Sequence, residues 1–266
     1  MEFVSSVPVK RTLSSRTFLI ATILVSVLCL CSSVGAQIPW KKDSLLRVVK
    51  NMPQDSNRVN TWLKIDKVYN SDGVFDSAIY YGKKALELAT FLKYDKGIAS
   101  ANVDIAVSYW YVGNFSESLN TNYAALEIFE RTGDQKGISQ VYNNMGIVYA
   151  SQRNFKKALE CYLITLSIKK KLGDTKAMAS TLINIGSTYD ELQEYDKSFM
   201  YYREALVIKR SMNDEKGEAI CLLNMGMVHD NLRNMDSALY YYDASLALRR
   251  KINDRRGIVS SLATLG

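Results

Sequence analysis

The feature that most constrains this chain is a period of 40 residues. The stretch NNMGIVYASQRNFKKAL at 143–159 returns as INIGSTYDELQEYDKSF at 183–199 and as LNMGMVHDNLRNMDSAL at 223–239. The residue at Gly146 recurs as Gly186, Gly226 and Gly266, with Ala106 upstream; Tyr149 recurs as Tyr69, Tyr109, Tyr189 and His229. Ala158 recurs as Ala78, Ser118, Ser198 and Ala238, and Leu166 as Leu86, Leu126, Leu206 and Leu246. A fixed period of this length means stacked supersecondary units, each burying its apolar face against the next, rather than one globule.

Each period reads as two helices. Ile138, Val141, Tyr142, Met145, Val148 and Tyr149 fall at spacings of three and four, which puts them on one face of a helix over 135–151. Phe155, Leu159, Tyr162, Leu163, Leu166 and Ile168 do the same over 155–172. The short polar SQRN between them forces an antiparallel hairpin. The junctions read RTGD, KLGD, SMND and KIND. Gly133, Gly173, Asn213 and Asn253 suit the left-handed residue that ends a helix, and Asp134, Asp174, Asp214 and Asp254 suit the cap that starts the next. No proline follows Pro53, as uninterrupted helices require. The recurring small residues, Gly146 and Ala158, are expected where the two helices of a hairpin cross, with Tyr149 and Leu166 filling the space beside the crossing.

Small–aromatic on the first helix and small–aromatic–small on the second resembles the tetratricopeptide repeat family. The residues that carry the resemblance are Gly146, Tyr149, Ala158, Tyr162 and Thr165, then Gly186, Tyr189, Ser198, Tyr202 and Ala205, then Gly226, His229, Ala238, Tyr242 and Ser245. The period of 40 exceeds the family's usual 34, and the proline near the repeat's end is missing. That resembles a longer-repeat branch. The resemblance implies an all-α, right-handed α-solenoid: five repeats at about 55–94, 95–134, 135–174, 175–214 and 215–254. The first is degenerate, with Asp66 at the glycine position. Residues 37–54 form a linker and a capping helix begun by Asp43 or Ser44, with Leu45, Leu46, Val48 and Val49 facing the array. Residues 255–266 read as the first helix of an incomplete sixth repeat, which implies either a fragment of a longer protein or a half-repeat acting as the cap.

Residues 1–36 carry the marks of a secretory signal. Lys10, Arg11 and Arg16 precede an apolar core, FLIATILVSVLCL at 18–30, and Val34-Gly35-Ala36 offers a cleavage site before Gln37. The core is short for a membrane span, so cleavage is favoured over a retained anchor. The full chain has a net charge of +7. Beyond the signal only Cys161 and Cys221 remain, on different helices of non-adjacent repeats, which reads as buried thiols rather than a disulfide.

Chemistry has few candidates. The single histidine, His229, falls at the aromatic packing position. Neither a His/Cys metal cluster nor a nucleophile pair nor a glycine-rich phosphate loop can be assembled, so no enzyme, metal or cofactor is expected. Basic clusters at 169–171, 209–210 and 249–251 read either as favourable charge at helix C-termini or as a stripe for an acidic partner. The remaining candidate is a ladder two residues before the conserved glycine: Asn144, Asn184 and Asn224, with Asp104 upstream. In the family this helix face lines the concave surface and takes extended peptides. Asparagine both donates to and accepts from a peptide unit. The alternative is that these side chains bond neighbouring helices inside the stack. Trp110, Tyr111, Asn143, Ile147, Ser187, Asp190, Met227 and Asp230 are the expected neighbours on that face. Trp110-Tyr111 reads either as an aromatic anchor or as inter-repeat packing.

The function this implies is non-enzymatic binding of a protein or extended peptide, without nucleic-acid contact by residues 37–266. The array resembles the sensor or interaction region of an exported or membrane-anchored bacterial signalling protein, where a membrane helix and a kinase or DNA-binding output region follow. The alternatives are a stand-alone periplasmic scaffold for envelope assembly and a non-catalytic part of a longer histidine kinase chain. Mass spectrometry of the chain recovered from a bacterial periplasm is expected to give Gln37 as its first residue; an intact residue 1–36 segment would mean a retained anchor.

Overall fold

The computed structural model describes residues 39–265, so the signal reading lies outside the described residues. Among them are twelve α-helices. Helix α1, Pro39–Lys50, precedes five hairpins: α2 Ser56–Ser71 with α3 Phe75–Phe91, α4 Asp95–Tyr111 with α5 Phe115–Thr132, α6 Gln135–Ser151 with α7 Phe155–Lys171. Then come α8 Thr175–Glu191 with α9 Tyr195–Ser211, α10 Glu215–Asn231 with α11 Met235–Lys251, and a final single helix α12, Arg255–Leu265. None of these helices is long and apolar enough to cross a membrane.

The caps follow the sequence. Asp134, Asp174, Asp214 and Asp254 accept hydrogen bonds from the amides of Gly137, Ala177, Gly217 and Gly257 at 2.9–3.1 Å. Gly133, Gly173, Asn213 and Asn253 all have φ between +53° and +72°. The hairpin turns use the same device less visibly. Gly73 and Gly113 take φ near +76°, and in later repeats Arg153, Gln193 and Arg233 are held at φ 59–62°. The second helices are capped by Asn114, Asn154 and Asn234, each accepting an amide at 3.3 Å. Helix α1 starts at Pro39, earlier than Asp43 or Ser44. Its contact with the array rests on fully buried Val49, while Val48 points to solvent at 53% exposure.

Two joints hold the array. The first is within each hairpin. A Cβ built on Gly146 would lie 2.5 Å from the Tyr162 ring; on Gly186, 2.8 Å from Tyr202; on Gly226, 2.5 Å from Tyr242. The glycine is therefore small because an aromatic ring of the partner helix lies flat against its backbone. The sequence reading assigned that filling role to Tyr149 and Leu166. Tyr149 instead packs in the core with its hydroxyl 3.0 Å from that of Tyr123. Small polar residues of the second helix complete the joint: Ser118 and Ser245 donate to the carbonyls of Ala106 and Ala219 at 2.7 and 2.8 Å.

The second joint links one repeat to the next. Gly137 is filled against by Phe129, Gly97 by Tyr94 and Ala89, and Gly217 by the aliphatic stem of Lys209. The leading cation of each basic cluster is thus structural. Lys169 donates to the Ala177 carbonyl and the Thr181 hydroxyl, Lys209 pairs with Asp214 at 2.7 Å, and Arg249 donates to the Gly257 carbonyl. These first members therefore act neither as charge on a solvated helix end nor as a stripe for an acidic partner: they bond the start of the next repeat, with Lys209 and Arg249 buried. Apolar side chains such as Leu182, Ile185, Val141 and Val148 are almost wholly buried between the joints. Each contributes about 1.5–3 kcal/mol.

The first two repeats break the joint. Where later repeats pair glycine with tyrosine, the first has Asp66 and Gly82 and the second has Ala106 and Asn122. Asp66 has no exposure, and neither of its carboxylate oxygens has a hydrogen-bond partner. Burial, then the neighbouring Asp104 carboxylate, raise its pKa to about 8, against a smaller opposing pull from Lys67. Asp104 is itself raised to about 6, by burial that outweighs its ion pair with Lys67 at 3.4 Å. Both groups bind a proton more tightly folded than unfolded. Their stabilising contribution is complete below the unfolded pKa near 4 and declines as pH rises, to about 6 for Asp104 and about 8 for Asp66.

Two outcomes follow. Gly146→Ala is expected to lower stability by about 1–3 kcal/mol in urea unfolding, and Tyr162→Asn in the same chain, copying the Ala106/Asn122 pairing, to recover part of the loss. The wild-type urea midpoint is expected to fall between pH 4 and pH 8. Asp66→Asn should flatten that slope and exceed wild type at pH 8 by more than about 2 kcal/mol; an unchanged slope would show that Asp66 is not the titrating group.

Candidate functional site

Three of the five pairs of successive first helices touch one another, α2 with α4, α4 with α6 and α8 with α10, whereas no pair of successive second helices makes comparable contact. The first helices therefore lie on the inside of the curve and the second helices on the outside. All the residues of the ladder and its surroundings stand on first helices: Asp104, Trp110 and Tyr111 on α4, Asn143, Asn144 and Ile147 on α6, Asn184, Ser187 and Asp190 on α8, and Asn224, Met227 and Asp230 on α10.

Asn144, Asn184 and Asn224 are half-buried. Their side chains make no hydrogen bond to protein among the described residues, and the Asn144 amide nitrogen is shielded from solvent while unpaired. The contact that would make the ladder an internal staple between helices is thus not formed. The shielded, unpaired Asn144 nitrogen is poorly satisfied, and an extended backbone laid across the ladder would supply both a donor and an acceptor. Around it Asn143, Ile147 and Met227 are half-buried, and Ser187 and Asp230 are exposed.

The ends of the ladder's neighbourhood are already occupied. Asp104 is held by Lys67 and sits beside Asp66, so it belongs to the buried acidic pair. Trp110 donates from Nε1 to the Ser151 hydroxyl at 2.8 Å, and Tyr111 stacks on Phe75 with centroids 4.5 Å apart. The aromatic pair thus packs across repeats, although Tyr111 keeps 40% of its surface exposed. Asp190 accepts from the Asn231 amide at 3.1 Å, another bridge between adjacent first helices.

The signature residues are packing residues. Gly146, Tyr149, Ala158, Gly186, Ser198, Gly226 and Ala238 are buried, and Tyr189 and His229 half-buried. His229 stacks on Tyr241 and meets the edge of Phe199. Cys161 and Cys221 are buried and unpaired, and burial pushes their thiols up to about 11 and about 12. No group of three metal-ligating side chains is found among the described residues. A cleft of about 370 Å³ opens on the outer side between α9 and α11, above Leu222 and Met225. Of the two arginines at its rim, Arg210 is tied to Glu218.

Sequence reasoning misses one feature of this face. The second residue of five consecutive first helices is basic: Lys96, Lys136, Lys176, Lys216 and Arg256. The signal was present as a cation directly before the inter-repeat small residue, Gly97, Gly137, Ala177, Gly217 and Gly257, but that joint is recognisable only once the helices are packed.

The family models for the tetratricopeptide repeat match residues 97–171, 137–211 and 219–256, together more than half of the chain. No curated protein matches. Among solved structures, BtubC (BKLC) from P. vanneervenii is 19% identical, with a TM-score of 0.69 over 80% of this chain and 88% of that one. A signal-transduction ATPase with a tetratricopeptide repeat sensor from Pyrococcus horikoshii is 19% identical, with a TM-score of 0.72 over 91% of this chain and 36% of that one. A Rap protein complexed with competence and sporulation factor is 17% identical, with a TM-score of 0.69 over 82% of this chain and 61% of that one. At these identities the likeness is one of fold. With its paired helices, its glycine–tyrosine joints and the matches along its length, the chain belongs to the tetratricopeptide repeat family, whose fold is generally a non-catalytic, protein-binding scaffold.

Proposed function

We propose that the inner face of the first helices binds an extended peptide or protein segment, and that the chain is the sensor or interaction region of an exported bacterial signalling protein. The observation that carries the binding site is the column of half-buried asparagines at 144, 184 and 224, of which Asn144 holds an amide nitrogen that is shielded from solvent and unpaired. Successive first helices pack about 8–10 Å apart, and an extended chain advances about 3.3 Å per residue. One rung therefore meets the ligand backbone about every third residue. Amide contacts to backbone are indifferent to ligand side chains, so the ladder supplies affinity and its neighbours Asn143, Ile147, Ser187, Met227 and Asp230 supply selectivity.

Two solved proteins of this fold support the reading by analogy: one is complexed with competence and sporulation factor, and the other carries its repeats as a sensor. Export rests on the sequence of residues 1–36, with three cations ahead of an apolar core and small residues before Gln37.

The test is Asn144→Ala, Asn184→Ala and Asn224→Ala in one chain. Co-purification of periplasmic partners is expected to be lost while the melting temperature stays within a few degrees of wild type. A variant that melts much lower and loses partners only through unfolding would make the ladder structural; unchanged co-purification at unchanged melting would place binding elsewhere.

A further inference from the structure

The lysine column has no explanation in the fold. A cation in the first turn of a helix opposes the helix dipole and costs about 0.3–1 kcal/mol. Yet five successive first helices carry one at their second residue. Lys96, Lys136, Lys176 and Lys216 are exposed, and none makes an ion pair among the described residues. The capping aspartates Asp134, Asp174 and Asp214, two residues before Lys136, Lys176 and Lys216, already accept backbone amides. Lys176 makes only the smallest contribution to lowering the pKa of Asp214, whose main partner is Lys209. The leading cations of the second helices, by contrast, are consumed in the inter-repeat joint.

The column runs parallel to the asparagine ladder. Lys136 stands eight residues, about 12 Å, before Asn144 along the same helix. Seven and eleven residues after it, on its own helix face, come Asn143 and Ile147. Lysine and glutamate side chains reaching toward each other can span that separation from a backbone lying on the ladder. The spacing also selects a conformation. Cations recur about every 8–10 Å, the distance between neighbouring helices. A polyproline II segment repeats its side-chain direction every three residues, or about 9.3 Å.

Resting on the inner-face reading above, we infer that the partner is an extended, polyproline II-like polypeptide segment with an acidic residue at every third position, its backbone on the asparagines and its carboxylates on Lys96, Lys136, Lys176 and Lys216. A membrane surface cannot wrap the inside of the curve, and single-stranded nucleic acid places its phosphates without reference to the amide ladder.

The probe is a fluorescein-labelled fifteen-residue peptide, five repeats of Glu-Pro-Ser, titrated with the full chain by fluorescence anisotropy at low ionic strength. Expected are saturable binding that weakens with salt, binding at least tenfold weaker for the Gln-Pro-Ser counterpart, and at least tenfold weaker for Lys96→Gln/Lys136→Gln/Lys176→Gln/Lys216→Gln. Circular dichroism melting of that exposed-surface variant should match wild type. A peptide of the same composition with its five glutamates contiguous should bind more weakly than the spaced one; equal binding would overturn the spacing. If the quadruple variant binds the spaced peptide like wild type while the triple asparagine variant does not, the lysine assignment falls and the inner-face reading stands. If neither set of substitutions matters, or no binding occurs, the acidic-segment assignment falls, and the partner co-purification of the asparagine variant decides the inner face separately. Tighter binding of phosphatidylserine vesicles or of oligothymidine to the lysine column than of the peptide would overturn the partner class.

Discussion

The array depends on how closely two helices approach within each hairpin, and that approach is set by a tyrosine ring lying on a glycine backbone. At Gly146, Gly186 and Gly226 even a methyl group would come within 2.5–2.8 Å of the ring opposite. A second contact of the same kind, between the end of one repeat and the start of the next, sets the offset between hairpins at Gly97, Gly137, Gly217 and Gly257. Repeating two fixed contacts along a chain yields a fixed rotation per repeat, hence a curve with an inside and an outside. The first helices fall on the inside because they meet one another. The inner face proposed for binding is a consequence of these joints, since it is what the inner helices leave over once their packing side is used.

The N-terminal end departs from this rule. Asp66 replaces the glycine of the first repeat and Asn122 the tyrosine of the second, and both are fully buried. A carboxyl group there is stable chiefly in its protonated form, which ties the cohesion of the first two repeats to pH. In a repeat protein, stability is close to a sum over units and their interfaces, so this dependence is local. It loosens the start of the array as pH rises without touching the glycine–tyrosine joints from Gly146 onward.

Much of this was legible in the sequence. Periodicity placed the helices, and Asp134, Asp174, Asp214 and Asp254 announced their caps because capping is a contact within three residues. What lay beyond reach were contacts between helices. That Tyr162, rather than Tyr149, presses on Gly146 depends on which way two aromatic side chains turn, and recurrence points the other way: the Tyr149 position is tyrosine or histidine in all five repeats, whereas the Tyr162 position holds Gly82 and Asn122 in the first two. The left-handed residues Arg153, Gln193 and Arg233 gave no compositional sign, because the closed hairpin enforces a conformation their side chains do not favour. The ladder was visible as a recurrence, but whether its amides were bonded needed the neighbouring helices in place. The lysine column was hidden because each lysine precedes a small joint residue, glycine or Ala177, whose role was itself unseen.

The central claim is that the unpaired asparagine amides are the contact surface for an extended chain. It is tested most directly by the side-chain amide resonances of Asn144, Asn184 and Asn224 in a nitrogen–proton correlation spectrum, recorded while the Glu-Pro-Ser peptide is added. The account predicts that these three pairs of signals move together, while the capping amides of Asn114, Asn154 and Asn234 stay in place. Movement confined to the caps or to residues of the outer helices, with the three ladder amides unchanged at saturation, would contradict it.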